Sequence, residues 1–546
     1  MLDSMANPHA VFNVPPPLEQ YNVYGADRAL REAVAREGGS RADAALHAFG
    51  RFCGRADTIA RGTLANENPP TLSTHDRYGH RVDLVRYHPA YHELMRIALA
   101  EGLHASPWDD AQSAAQVARA AKYFLQTQVE AGHGCPVTMT FACVPTLRKQ
   151  PDLAAEWLPR VLSREYDPAN APAATKRGAT IGMAMTEKQG GSAVRANTTR
   201  AERVTDGRYA LTGHKFFVSA PMCDAFLVLA QAPGGLSCFL LPRWLPDGTK
   251  NALELQQLKQ KMGNRSNASS ETELRGATAW LVGDEGRGVA NIIEMVALTR
   301  FDCLIGSSAG MRQAAAQALH HCHHRAAFGA LLDRQPLMQN VLADLVLESE
   351  AATALTLRVA RALDESVDSE HARLLVRLAT AVGKYWICKR APGHAYEALE
   401  CIGGSGVMET TIMPRLYREA PVNAVWEGSG NIQCLDVLRA LRTTPEVLDA
   451  LFAELATEQG ADPRFDALAA RLRAEIDDVR ALEYRSRSVI GLIAVALQAA
   501  VLLRGDATVA EAFLRGRVAS DAPFHYGTLP QGVDCAALIE RGRPEV

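Results

Sequence analysis

Met185-Thr186-Glu187-Lys188-Gln189-Gly190-Gly191-Ser192 stands where the chain changes from helix to strand. Upstream, as far as Thr180, the pattern is mostly helical. Ala42 to Phe52 and Ala111 to Val129 are alanine-rich and set apolar residues at helical spacing. The opening Phe12-Asn13-Val14-Pro15-Pro16-Pro17 reads as an extended arm, because proline rejects both helix and central strand. Downstream, from Ile181 to about Val282, strand formers dominate: Tyr209-Ala210-Leu211, Phe216-Phe217-Val218, Ala225 to Ala230 and Cys238 to Leu241. Turn signals at Asp206-Gly207, Pro233-Gly234-Gly235 and Asp247-Gly248 separate them, which predicts a small antiparallel barrel or sandwich. Helix returns after Gly286. Val341 to Leu363 and Ala372 to Lys389 are long and free of proline, as the helices of a bundle are. A further helical stretch runs from Pro445 to about Arg517, and the tail after Asp521 looks irregular. The expected fold class is therefore α+β and multidomain: an N-terminal helical domain over 1–180, a central β domain over 181–283, a helical bundle over 284–441 and an extra C-terminal helical domain over 442–546.

Composition agrees with several folded domains. A chain of 546 residues is too long for one ordinary core. With 47% hydrophobic and 22% charged residues it belongs with globular rather than disordered proteins. A net charge of -3 argues against binding polyanions by bulk charge. The 11 cysteines are odd in number and form no CxxC pair, and Asp3 and Pro8 interrupt any apolar leader. Reduced thiols, no secretory signal and a cytoplasmic location are the expectation. The longest apolar stretch, Val489 to Leu503, falls short of the ~20 residues that span a bilayer, so a buried helix and no membrane association are expected.

Five segments carry side chains suited to chemistry. In Met185 to Ser192, paired glycines let backbone approach a ligand, and Thr186 and Ser192 offer hydroxyls to ring heteroatoms or phosphate; a plain turn has the same composition. In Gly213 to Ser219, Phe217 and Ser219 could flank a flat ring, or simply pack a strand. Arg325-Ala326-Ala327-Phe328-Gly329, with Gln335 beyond it, offers a guanidinium to phosphate or ends a helix. Cys401-Ile402-Gly403-Gly404-Ser405-Gly406 is a glycine turn that follows no strand, which disfavours a dinucleotide-binding phosphate loop. In Trp426-Glu427-Gly428-Ser429-Gly430-Asn431, a lone carboxylate follows an aromatic residue. Apolar neighbours would raise its pKa toward that of a general base for a weakly acidic C–H. His320 and His324 share a helix face, but no second ligand cluster accompanies them, so no metal is expected.

In identity, order and spacing these segments resemble the flavin motifs of the acyl-CoA dehydrogenases, from about Arg119 to Arg442. The resemblance is closest to that family's adaptive-response branch, the AidB branch, where it extends from His9 to the end of the chain. It implies FAD as cofactor. Met185, Thr186 and Ser192 would line the flavin, Phe217 would stack on it, and Ser219 would bond its N5. Arg325, Phe328 and Gln335 would hold the adenosine diphosphate part of an FAD bound mainly by a neighbouring subunit, with Gly403 and Gly404 in contact. Trp426, Gly428, Ser429 and Asn431, around the catalytic Glu427, would also contact the FAD. A homo-oligomer follows, a tetramer by family habit. The implied reaction is α,β-dehydrogenation of an acyl-CoA thioester, for instance a branched short chain such as isovaleryl-CoA. Three positions depart from the family pattern: Ala193 for Asp, Phe217 for Trp and Glu400 for Gln.

The branch carries an alternative, a DNA-binding flavoprotein that protects double-stranded DNA from alkylation damage. Charge bears on it. From Arg442 to the end there are twelve arginines, no lysine and sixteen carboxylates, a net of -4. That is not the basic footprint of a duplex binder, unless Arg480, Arg485, Arg487, Arg515 and Arg517 gather on one face.

Overall fold

The computed structural model describes residues 9, 11–109, 113–205, 207–519 and 525–545. Asp3, Pro8, Ala111, Asp206 and Asp521, which entered the sequence reading, lie outside them. The first part of the chain folds into α1 Arg28–Arg36, α2 Asp43–Cys53, α3 Ala56–Glu67, α4 Pro89–Ala100, α5 Ser106–Asp109, α6 Ala115–Val129, α7 Gly134–Leu147 and α8 Pro151–Val161. A hairpin that the sequence did not announce interrupts them: β1 Thr71–His75 paired antiparallel with β2 Arg81–Arg86. Its strands are short and half-exposed, so their apolar pattern is faint. Asp76 sets the turn by accepting from the N–H groups of Tyr78 and His80, at 2.8 and 2.9 Å. Docking does the rest, with Lys250 donating to Asp83 and Arg81 to the Leu255 carbonyl, both at 2.8 Å.

The middle of the chain forms β3 Ile181–Ala184, β4 Arg200–Thr205, β5 Arg208–Ser219, β6 Ala225–Ala232, β7 Gly235–Pro242, β8 Leu253–Leu258 and β9 Ser269–Val282. The sheet runs β3-β6-β4-β5-β9-β7, with β8 on β9, and a further β6–β7 pairing closes it into a barrel. Most pairings are antiparallel. The exceptions are on β6, which pairs parallel with β3, Ile181 opposite Ala225, and with the start of β4, Arg200 opposite Gln231. The unbroken apolar run Ala225 to Ala230 suits β6, which is buried on both faces.

Next come α9 Gly288–His324, the two-residue strands β10 Ala326–Ala327 and β11 Ala330–Leu331, α10 Pro336–Glu365, α11 Glu370–Cys401, α12 Met413–Glu419, α13 Val422–Val425 and α14 Gly430–Thr443. Helix starts follow capping chemistry: Pro336 opens α10, and the Ser369 hydroxyl accepts from Ala372 N–H at 3.2 Å to cap α11. The chain ends in α15 Glu446–Ala456, α16 Pro463–Asp477, α17 Leu482–Leu503, α18 Ala507–Phe513 and α19 Cys535–Gly542. The last of these replaces part of the expected irregular tail.

Helix α17 is long and apolar enough to cross a bilayer, yet 78% of its apolar window is buried inside the protein. Gln498, which interrupts the run, accepts from Trp386 Nε1 at 3.1 Å. All eleven cysteines are free thiols, and ten are buried.

Helix α9 positions the site. Its first half, through Ile292, Met295, Val296 and Leu298, packs into the core of the β domain. Its second half, from Phe301 to Leu319, packs into the core of the bundle. Thr299, Arg300, Asp302 and Cys303 lie between the two cores, and there a cavity opens.

Candidate active site

The cavity has a volume of about 920 Å³ and a wall that is mainly apolar. Of the residues singled out from sequence, Met185, Thr186, Ser192, Phe217, Ser219, Trp426, Glu427, Gly428 and Ser429 line it together. They arrive from the β3–β4 connection, strand β5 and the α13–α14 turn.

Glu427 occupies that turn with φ +57°, followed by Gly428 at +99°. A non-glycine residue in the left-handed region costs about 1–3 kcal/mol and persists only where its surroundings impose it. Here they do. Arg300 Nε and Gln433 Nε2 donate to the Glu427 carbonyl at 2.9 and 3.1 Å, while Gln433 Nε2 and Lys384 Nζ each donate to the Gly428 carbonyl at 2.9 Å. Lys384 also ties down the Asn423 carbonyl at 2.8 Å, and Trp426 Nε1 donates to the Asn423 side chain at 2.9 Å. The turn is thereby fixed with the Glu427 carboxyl aimed into the cavity.

Thr299 Oγ1 donates to that carboxyl at 2.9 Å. Burial raises its pKa above the ordinary carboxylate value. The Thr299 hydrogen bond and the charges of Lys384 and Arg300 oppose the rise without cancelling it. The balance suits a base that must be ionised near neutral pH yet basic enough to take a carbon-bound proton.

The Met185 to Ser192 turn is held by a contact the sequence reading did not find. Glu187 is fully buried and accepts from Lys215 Nζ at 2.9 Å and from Thr198 N–H at 2.7 Å. Burial alone would raise its pKa, but Lys215 and these hydrogen bonds hold the carboxyl well below the usual range. Lys215 also donates to the Leu229 carbonyl at 2.7 Å, which fastens the turn to β5 and β6. Thr299, Arg300, Lys384 and Gln433 were also missed. Thr299, Arg300 and Lys384 lie far from the motifs in sequence and within helices that read as ordinary core, whereas Gln433 follows the Trp426 to Asn431 motif by two residues and reads as plain helix.

A planar ligand fits this wall. Phe217 is 43% exposed and faces the cavity. Thr138 and Asn264 line the cavity, and among the described residues the buried Thr138 Oγ1 and Asn264 Nδ2 find no hydrogen-bond partner. Ser429 precedes α14 without capping it, so its hydroxyl is available to a ligand. A Cβ on Gly310 would meet nothing within 4 Å, which leaves that part of the wall open.

The remaining sequence-predicted residues lie outside the cavity. Arg325 donates to the Asn13 carbonyl at 2.6 Å, Phe328 is fully exposed with φ +53°, and Gln335 donates to the Ala327 carbonyl at 3.2 Å. Gly403 and Gly404 have open space around them. Asn431 Oδ1 accepts two bonds from Arg487, at 2.9 and 2.6 Å. Among the described residues no cluster of histidine, cysteine and carboxylate could hold a metal ion. His320 bonds to the Pro16 carbonyl and His323 to Asp333.

Three family models match the chain: the adaptive response protein AidB N-terminal domain over 13–168, and the acyl-CoA dehydrogenase middle and C-terminal domains over 182–277 and 286–442. The chain is 50% identical over 470 residues to AidB of Escherichia coli (strain K12), a protein that carries the name of an acyl-CoA dehydrogenase, covering 86% of this chain and 87% of the relative. It is 32% identical over 444 residues to acyl-CoA dehydrogenase family member 11 of Caenorhabditis elegans, covering 77% of this chain and 70% of the relative. The crystal structure of C. elegans ACDH-11 in complex with C11-CoA superposes with a TM-score of 0.84 at 28% identity, covering 94% of this chain and 93% of that one. With these matches spanning all three regions that build the cavity, the chain belongs to the acyl-CoA dehydrogenase family.

Proposed function

We propose that the protein is an FAD-dependent oxidoreductase that removes the α and β hydrogens of an acyl-CoA thioester, with Glu427 as the base. FAD is the cofactor of the acyl-CoA dehydrogenases, and the half-exposed Phe217, the Thr186 and Ser192 turn and the unpartnered Thr138 and Asn264 suit a flavin ring and its ribityl chain. When bound, it supplies the acceptor for a β-hydride. The chain's own residues do the rest. Glu427 takes the α-proton, Thr299 steadies its carboxylate before transfer, and the apolar wall keeps water from the developing negative charge. The observation that carries this reading is the Glu427 carboxyl, forced into the cavity by a left-handed turn and raised in pKa by burial.

The volume must accommodate ring and acyl chain together, and a branched short chain such as that of isovaleryl-CoA is the substrate we favour. The ACDH-11 complex makes a longer acyl chain the comparison to include. Arg325, Phe328, Gln335, Gly403 and Gly404, open on the surface of one chain, suit the adenosine diphosphate part of an FAD shared with a second subunit in a tetramer. The test is anaerobic bleaching of the flavin by an acyl-CoA series from short branched to long chains. Bleaching by at least one member, lost in Glu427→Gln, supports the reading. No bleaching by any, or bleaching indifferent to that substitution, overturns it.

The alternative, protection of double-stranded DNA from alkylation, rests on likeness to AidB. Eight of the twelve arginines after residue 441 already pair with carboxylates, namely 464, 480, 485, 504, 515, 517, 541 and 543. Arg517 is buried and cannot join a surface face with Arg515. A gel-shift titration without salt-dependent duplex binding removes this reading.

A further inference from the structure

Strand β9 begins beside β5, and its first residue extends a hydrogen-bonded file that ends at the cavity. Lys261 Nζ donates to the Asn267 carbonyl at 2.6 Å and to Ser269 Oγ at 2.9 Å. Ser269 Oγ in turn lies 3.0 Å from Ser219 Oγ. Lys261, Ser269 and Ser219 all line the cavity, and Ser219 stands two residues beyond Phe217 on the same strand.

The file has a direction. An ammonium can only donate, so Ser269 accepts from Lys261 and is free to donate its own proton onward to Ser219. Ser219, with Cys135 beside it on the same wall, can then turn its O–H toward a ligand over Phe217. Successive donors polarise one another, so the charge at the far end strengthens the last bond of the series.

Lys261 feels Glu419 and Glu130 only at a distance. Among the described residues its hydrogen bonds go to a carbonyl and a hydroxyl rather than to a carboxylate. Glu419, which shares the cavity wall, is raised by burial to a pKa of about 7 and spends one oxygen on the Asn264 N–H. Burial draws the Lys261 pKa downward, while Cys135, Glu419 and Glu130 act to raise it.

We propose that Lys261, acting through Ser269 and Ser219, is the positioning residue that sets the reduction potential of the flavin. This rests on the placement of the flavin ring over Phe217 given above. In the reaction the substrate gives its α-proton to Glu427 and its β-hydride, with two electrons, to the cofactor. It leaves as the enoyl thioester, and the reduced cofactor holds one more negative charge than before. A positive charge that two hydroxyls would link to a flavin held at this wall would favour the more negative state and so raise the potential.

The test is the midpoint potential of bound FAD, measured without substrate in the wild type, Lys261→Met, Lys261→Arg and Ser269→Ala, with FAD content recorded for each. Lys261→Met is expected to keep its FAD and move to a more negative potential. A tenfold fall in the equilibrium constant for two-electron reduction would read as a shift of about 30 mV. Ser269→Ala, which keeps the charge and cuts the file, moves the same way by less, and Lys261→Arg stays near the wild type. Unchanged potentials in both Lys261→Met and Ser269→Ala, with FAD bound, overturn the inference. If Lys261→Met does not fold, Ser269→Ala against Lys261→Arg decides by the same criterion. A wild type that takes up no FAD would instead refute the reading of the cavity, a result told apart by its lack of a flavin spectrum.

Discussion

Glu187 and Lys215 meet at 2.9 Å with both side chains shut away from solvent, and that pair fastens the turn carrying Thr186 and Ser192 to the barrel. Breaking one partner leaves an uncompensated buried charge, which costs about 3–5 kcal/mol. Lys215→Met is therefore expected to lower the thermal midpoint and to weaken FAD retention together, by calorimetry and flavin absorbance. Because the Glu187 carboxyl is held below its ordinary value, its contribution is fully present above about pH 4.5 and is lost as pH falls through the lowered pKa. Acid unfolding curves of Glu187→Gln and the wild type should thus converge at low pH. Curves that remain parallel would discount the pair.

Glu427→Gln keeps the size of the side chain and removes the base. Reductive bleaching by a competent acyl-CoA is expected to slow by a factor of about 10²–10⁴, with flavin content unchanged. Burial raises the pKa of Glu427, so its folded state holds a proton more readily than the unfolded chain. Its stabilising share is present below the unfolded value and is lost as pH climbs through the raised one, while activity rises over that same interval. A pH–rate profile and a pH–stability profile that bend in opposite senses are the expected pair of measurements.

Thr299→Val removes a hydroxyl that donates to the Glu427 carboxylate. A hydrogen bond to a charged group contributes about 1.5–3 kcal/mol, and one pKa unit corresponds to about 1.4 kcal/mol. The acid limb of the rate profile should move to higher pH by roughly one unit. A profile that does not move, with rates merely scaled, would assign Thr299 to packing.

Phe217→Trp enlarges the aromatic ring on the cavity wall. Stacking contributes about 0.5–1.5 kcal/mol beyond area, so FAD should dissociate roughly two- to tenfold less readily, by fluorescence titration. Weaker retention would mean that the wall above Phe217 has closed to fit the smaller ring.

Asp302 lies on the cavity wall, but its carboxylate is clamped by Arg119 through two bonds of 2.6 Å, with the Phe141 ring 3.4 Å from the guanidinium. It is a strut between α6 and α9 rather than a second base. Arg119→Met should destabilise the fold by about 3–5 kcal/mol, whereas replacing both partners with apolar residues of similar volume should recover much of that loss in chemical denaturation.

The architecture was legible because its signals are local. Periodicity outlined α10 and α11, and the unbroken apolar run at Ala225 announced a strand buried on both faces. The Trp426 to Asn431 motif drew attention to Glu427, which lines the cavity, for the same reason, since its unusual residues adjoin one another. The supporting groups were not legible. Thr299 and Arg300 sit within a helix that reads as core, and their function follows from α9 passing between two cores, a tertiary fact. Lys384 falls in the middle of an alanine-rich helix, where a buried lysine leaves no periodic trace. The β1–β2 hairpin escaped because contacts with Lys250 and Leu255, far along the chain, hold it in place.

Helix α10 has a further meaning for the last hundred residues. Asp344, Glu348 and Glu350 are buried along it and take their cations partly from Arg517 and Arg541, while α17 covers apolar surface of the same bundle. Cutting the chain after α14 would strand those carboxylates in an interior newly opened to water and strip a greasy flank from the bundle. The C-terminal segment is thus no detachable appendage. Whatever partner or signal acts on it is mechanically joined to the helices that hold Glu427 in place.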